Sequence, residues 1–412
     1  MKIKKTAFIS LAIRGATLAS KFILITYLAK YSTFDIVAQY SIIAVSISYF
    51  LYLLGFDFYT YSSREILKVW FANSGRFIVS QFTLYCVMYI SSIPFLFIFT
   101  YNGIINANVI ALFYFVLISE HLSQEFMRLL VINNKPLKAN VQLFLRSASW
   151  IYVYICYSYI SGVTTIEALL ISWLVGNTLS LLFSLSELKF INWKINLSNS
   201  IDLKWLRHGI VVAIPLLCAT LLLRGIFVSD RFLLKFLSTT KELAVYSFFS
   251  NMANALIAFI DASVIMQCYP LLVKAYQNND KKLYFEQLKN FKRRMVLIGC
   301  IVSFGLSIII PVLSLYLGHR EYLNGIMIFY ILLLSSFIYC YGLVFHYELY
   351  SRNKDFIILI STLISFLAGL IAQYVLGVLF DGIGISLGVL IASLCLLITK
   401  KMYTSKVKKE LW

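Results

Sequence analysis

Runs of about twenty apolar residues, each closed by a short polar or basic segment, follow one another along the whole chain. A bilayer's hydrocarbon core is about 30 Å thick, and a helix crosses it in about 20 residues. Within hydrocarbon the backbone must satisfy its own hydrogen bonds, so runs of this length read as transmembrane helices. They are expected near 6–29, 36–57, 77–100, 107–131, 141–160, 166–186, 208–230, 243–271, 295–317, 325–349, 356–379 and 383–401, twelve in all. The 412 residues are 60% hydrophobic and only 13% charged, about half the charge of an ordinary soluble domain. The expected fold is therefore an all-α integral membrane protein.

The net charge of +18 does not point to nucleic acid. Most of the lysines and arginines lie in alternate connections, as the positive-inside rule places them. Lys2, Lys4 and Lys5, then Arg64, Lys68 and Arg76, then Lys135 and Lys138 open this series, and the basic residues from Lys400 onward close it. The opposite side holds only Lys30, Arg231, Lys235, Lys241 and Arg320. Both termini are expected in the cytoplasm. The start, MKIKKTAFISLAI, has the basic and apolar parts of a signal peptide. Arg14 interrupts the run, however, and the apolar stretch continues to Leu28, so a retained first span is expected.

Two inner connections read as amphipathic surface helices, 187–207 and 274–294, with Trp193 and Trp205 suited to an interface. The first divides the chain into a six-helix lobe at 1–186, a cytoplasmic linker at 187–207 and a second six-helix lobe at 208–401. A basic tail occupies 402–412. An even number of spans per lobe makes the repeat parallel, about an axis along the membrane normal. RGATLASKFIL at 14–24 returns as RGIFVSDRFLL at 224–234, and AQYS at 38–41 as AVYS at 244–247. In the longer pair Arg14 meets Arg224 and Lys21 meets Arg231. A step of seven residues is about two helical turns, so each copy is expected to carry two cations on one face, toward a shared cavity. Pro94, Pro215, Pro270 and Pro311 are expected kink points.

The densest polar cluster is LISEHLSQEFMRLL, 117–130. Glu120, Gln124 and Arg128 share a helical face, His121 and Glu125 make a second i,i+4 pair, and Glu125 can meet Arg128 at i,i+3. Charged groups inside a bilayer are costly and face the protein interior or a wet cavity. Glu120, Glu125 and, with less support, Asp261 are candidates for proton or sodium coupling. Arg14, Lys21, Arg128, Arg146, Arg224 and Arg231 are candidates for an anionic substrate, because guanidinium forks suit phosphate oxygens; at Arg128 and Arg146 snorkelling to the interface is an equal alternative. Trp150, Tyr152, Tyr154, Tyr157 and Tyr159 read as an interfacial aromatic belt. The seven cysteines lie singly, without zinc or disulfide spacing. Neither a hydrolase, a metalloprotease nor a P-loop motif occurs, and no cofactor or catalytic group is expected.

GFDFYTYSSREIL at 55–67, LISEHLSQEFMRLL at 117–130 and SDRFLL at 229–234 resemble segments of bacterial O-antigen flippases of the Wzx type. These form part of the polysaccharide-transporter branch of the multidrug/oligosaccharidyl-lipid/polysaccharide exporter superfamily. The resemblance implies an inner-membrane protein that moves undecaprenyl-diphosphate-linked oligosaccharide from the cytoplasmic to the periplasmic leaflet by alternating access. Membrane lipids, an O-antigen polymerase and a chain-length regulator are the implied partners. A small-molecule antiporter of the same superfamily would share the fold but favour an acidic cavity. An O-antigen polymerase would carry a large periplasmic loop, whereas the outer loops here, such as YNGIIN at 101–106, are short.

Overall fold

The computed structural model describes residues 2–69, 74–189 and 201–409, and these contain helices and no strands. The helices are α1 (Lys2–Tyr31), α2 (Phe34–Gly55), α3 (Tyr59–Ile66), α4 (Gly75–Tyr101), α5 (Ala107–Ile132) and α6 (Pro136–Phe144). A π-helical turn, Leu145–Ser149, runs directly into α7 (Trp150–Ser161), and α8 (Ile166–Glu187) and α9 (Leu203–Ile226) come after it. Next come α10 (Ser229–Leu237), α11 (Thr240–Ile260), a second π turn at Asp261–Ile265 and α12 (Met266–Gln277). The chain finishes with α13 (Lys281–Leu317), α14 (Arg320–Asn324), α15 (Ile326–Ser351) and α16 (Asp355–Lys409).

Ten helices among the described residues are long and apolar enough to cross a membrane. This is an all-α, multi-pass membrane protein. The helices start and stop where local chemistry directs. Thr165, Thr239 and Asp280 each accept a hydrogen bond from a backbone N–H three residues on, at 3.3, 3.2 and 2.9 Å, as N-caps do. Gly162 and Gly318 end α7 and α13 at φ 68° and 79°.

Two of the long elements divide differently from a simple apolar run. The 55 residues of α16 would measure about 80 Å as one rod. The helix instead breaks at Phe380 and Asp381, the latter at φ 48°, and doubles back. A side chain at Gly388 would strike the backbone of Gln373, and one at Gly369 would strike Ala392. These pairings are those of an antiparallel helical hairpin. The stretch 136–161 is continuous helix of span length, interrupted only by its π turn.

The surface helix expected at 274–294 is absent as a separate element. Residues 281–294 form the first turns of the 37-residue α13, because no glycine or proline separates the basic stretch from the apolar one. Most of the expected linker helix, 190–200, lies outside the described residues. Helices α4, α9, α12 and α13 each continue through their proline.

The chain forms two compact units, one of Met1–Ser32 and Ile42–Leu221, the other of Thr33–Ser41 and Leu222–Trp412. In the first, Phe58, Tyr61, Tyr85, Trp205 and Leu206 form a buried aromatic cluster, which ties the start of α9 to α3 and α4. In the second, the α16 hairpin packs on α10 and α15.

Candidate functional site

The first unit holds two separate polar networks on α5. Glu120 is 7% exposed and stands in one of them. Its Oε2 accepts the indole N–H of Trp173 at 3.0 Å, and its Oε1 lies 3.4 Å from Nε of Arg146. Arg146 sits in the first π turn and is also 7% exposed. Its Nε and Nη1 have no hydrogen-bond partner among the described residues, so the approach to Glu120 is an ion pair without a directed hydrogen bond. Lys21 on α1 is exposed and within electrostatic range of both Glu120 and Arg146. Seven residues earlier on the same helix, Arg14 is exposed and donates from Nε to Oδ1 of buried Asn140 at 2.8 Å.

The π turn aims Arg146. An extra residue in one helical turn rotates the side chains beyond it, and such turns recur at functional positions. Trp150 comes directly after it and stacks on Trp173, 5.0 Å between centroids and 5° between planes. Gly176, one turn beyond Trp173, leaves room for this: a Cβ there would lie 2.8 Å from that of Trp150. Trp150 and Tyr154 are buried, whereas Tyr157 and Tyr159 are exposed, so only part of the expected aromatic belt faces outward.

The second network centres on Glu125, 3% exposed. Its Oε2 accepts from Gln81 at 3.0 Å and from the hydroxyl of Tyr85 at 2.7 Å. Its Oε1 pairs with Arg128, and Nε2 of His121 is 3.9 Å away. The Arg128 guanidinium also lies over the ring of Tyr59, 3.4 Å from its centroid. His121 Nδ1 shares a hydrogen bond with the Tyr89 hydroxyl at 2.6 Å. The expected i,i+3 pair of Glu125 and Arg128 is thus present. The expected common face of Glu120 and Arg128 resolves into two networks, because Arg146 claims the first carboxylate and Glu125 the second guanidinium.

In the second unit the expected two-cation face on one helix does not form. Helix α9 ends at Ile226, and Arg231 begins again on α10. The joint is held from both sides. Gln373 donates to the freed carbonyl of Ile226 at 3.2 Å and accepts from Ser229 at 2.8 Å. Asp230 accepts from the Arg231 backbone N–H at 2.7 Å and from the Tyr246 hydroxyl at 2.8 Å. Arg231, 3% exposed, donates to Ser250 at 2.6 Å and to the carbonyl of Phe227 at 2.9 Å. It is therefore enclosed in the protein. Arg224 is exposed, as is Asp261, which opens the second π turn. Both act electrostatically on Tyr339. Among the described residues only two π turns occur, and each holds an expected site residue, Arg146 or Asp261.

Sequence reasoning missed Trp173, Asn140, Gln81 and Gln373. The available signal was a lone polar or amphipathic side chain in the middle of an apolar run, which inside a membrane asks for a partner. No group of three or more His, Cys, Asp and Glu among the described residues could hold a metal ion.

No family model matches the sequence, and no curated protein matches it. Solved structures do. An inward-facing MATE-family multidrug resistance transporter of the MOP superfamily is similar with a TM-score of 0.78 at 14% identity, over 98% of this chain and 99% of that one. The lipid II flippase MurJ, in an inward closed conformation, gives 0.74 at 16% identity, over 97% and 87%. A Vibrio cholerae MATE transporter gives 0.62 at 10% identity, over 99% and 96%. The chain has the fold shared by MATE transporters and the lipid II flippase MurJ.

Proposed function

We propose that the protein is a flippase for a lipid-linked oligosaccharide diphosphate, of the undecaprenyl-linked O-antigen type, working by alternating access. The observation that carries this reading is the composition of the network around Glu120. Arg146 is buried with two unshared donors, and Lys21 stands exposed beside it. One carboxylate faces these two cations, and Arg14 stands on the same helix as Lys21. A guanidinium with free N–H groups in a low-dielectric setting is suited to phosphate oxygens. A glycan and its diphosphate cannot cross hydrocarbon unaided, whereas a polyprenyl tail can remain in it.

The MurJ neighbour is a flippase of lipid II, which agrees with a lipid-linked substrate. A MATE-like antiporter for cationic drugs fits less well, since the exposed charges at the site are basic. Ion coupling, by proton or sodium, is assigned to Glu120. Glu125 is already satisfied by Gln81, Tyr85 and Arg128, and its network holds α4 to α5.

The test is reconstitution of the full chain in proteoliposomes with a fluorescent undecaprenyl-diphosphate-linked disaccharide in the inner leaflet. Protein-dependent appearance of the label in the outer leaflet is expected. Transfer no faster than in empty vesicles would overturn the reading.

A further inference from the structure

We infer that Glu120 is an internal counter-anion: it occupies Arg146 and Lys21 when no substrate is bound and yields them to the diphosphate when substrate enters. The inference rests on the flippase reading and adds a step to it, the return of the empty protein.

The geometry is that of a place-holder. Glu120 reaches Arg146 at 3.4 Å without a hydrogen bond, while a structural pair such as Arg352 with Glu348 closes to 3.0 Å through Nη2 with a directed bond. Its other oxygen is fixed by Trp173, so the carboxylate is held near the guanidinium without saturating it. Arg146 keeps Nε and Nη1 unshared. A phosphoryl group could take these donors with better geometry than Glu120 has.

A buried guanidinium left without any anion is strongly unfavourable. A carrier that releases an anionic substrate from such a site must therefore replace the anion before it can close empty. Glu120 supplies that replacement from within the first unit. The loaded protein closes over a substrate diphosphate, and the empty one closes over Glu120.

The charged groups around Glu120 are Arg146 from the π turn and Lys21 from α1. α8 contributes the neutral Trp173 N–H, and His121 on α5 is engaged by Tyr89. Cations and a neutral donor thus face the carboxylate.

The experiment compares two transport modes in proteoliposomes containing the labelled undecaprenyl-diphosphate-linked disaccharide. Net transfer is measured with the opposite leaflet empty of that lipid, so the protein must return unloaded. Exchange is measured with excess unlabelled lipid opposite, so the protein returns loaded. Glu120→Gln should lower net transfer by on the order of tenfold or more and lower exchange by clearly less, so that the ratio of net transfer to exchange falls. Equal loss in both modes, or loss in neither, overturns the proposal. A wild-type protein that transfers nothing defeats the flippase reading instead.

A second measurement does not depend on transport. Inorganic diphosphate binding to the full chain in detergent, tracked by tryptophan fluorescence, should be about tenfold tighter in Glu120→Gln, because the competing carboxylate has gone. Binding equal to or weaker than wild type overturns the place-holder role.

Discussion

The indole of Trp173 lies flat on that of Trp150 while its N–H donates to Glu120 at 3.0 Å. One side chain thus joins the residue just after the π turn to the carboxylate that faces Arg146. Trp173→Phe keeps an aromatic ring on Trp150 but removes the donor. Losing a hydrogen bond to a charged group costs about 1.5–3 kcal/mol, and Glu120 would be freed to turn toward Arg146. The expected result is a lower unfolding temperature in detergent together with slower net transfer. Wild-type values for both would show that the indole N–H is incidental.

Glu125 should behave as architecture. Glu125→Gln removes the countercharge of Arg128 and puts an NH2 donor in place of one of the two acceptor oxygens, and breaking a buried pair costs about 3–5 kcal/mol. The amount of folded protein in the membrane and its thermal stability should both fall, with transport per folded molecule changed little. A variant of normal stability that no longer transports would move the coupling role from Glu120 to Glu125.

Gln373 is expected to hold the joint between α9 and α10. Gln373→Leu leaves the Ile226 carbonyl without its side-chain donor, at a cost of about 1–3 kcal/mol for a buried unsatisfied group. Hydrogen exchange at 226–231 should rise more than in the hairpin that carries Gln373. A uniform change across both would mean that the joint is held by other contacts.

Arg14 and Arg224 are the aligned arginines of the two similar segments, and both are exposed. Alanine at either position should slow diphosphate-lipid transfer, and lysine should slow it less, since charge remains but the planar fork is lost. Insertion should be unimpaired, because removing a cation from an apolar span favours the membrane. Normal transfer in both alanine variants would remove these arginines from the substrate path.

Topology can be checked independently of transport. Reporter fusions after Lys68, Lys194, Lys289 and Trp412 should report the cytoplasm, and fusions at Asn102, Gly162 and Asp381 the opposite side. A reversed signal at Lys194 would break the division into two six-span halves.

The fold was legible because apolar length alone sets the reading: every helix of span length lies on a run visible in the sequence. Departures came from features with no apolar signature. The π turns at Leu145–Ser149 and Asp261–Ile265 are decided by packing, and nothing in LRSAS or DASVI marks them. Hydropathy extended the seventh span through Phe227 and Val228, where α9 stops, because both are apolar; the groups that stop it are Asp230 and Gln373, the latter more than 140 residues away. The charged residues of the site were legible as expensive charges. Their partners were not, since helical spacing could put Arg128 on the face of Glu120 at i+8 but could not see Arg146 arriving from another helix.

The joint at Phe227 also separates the fates of two similar segments. RGATLASKFIL stays one continuous helix, with Arg14 and Lys21 both exposed. RGIFVSDRFLL bends, and the bend draws Arg231 inward to bind Ser250 and the Phe227 carbonyl. The same letters are therefore placed differently: both cations of the first copy are exposed, whereas in the second Arg224 is exposed and Arg231 is enclosed. Two similar segments are in this way unlike in their surroundings: substituting Arg231 would empty a buried, hydrogen-bonded position, and substituting Lys21 would not.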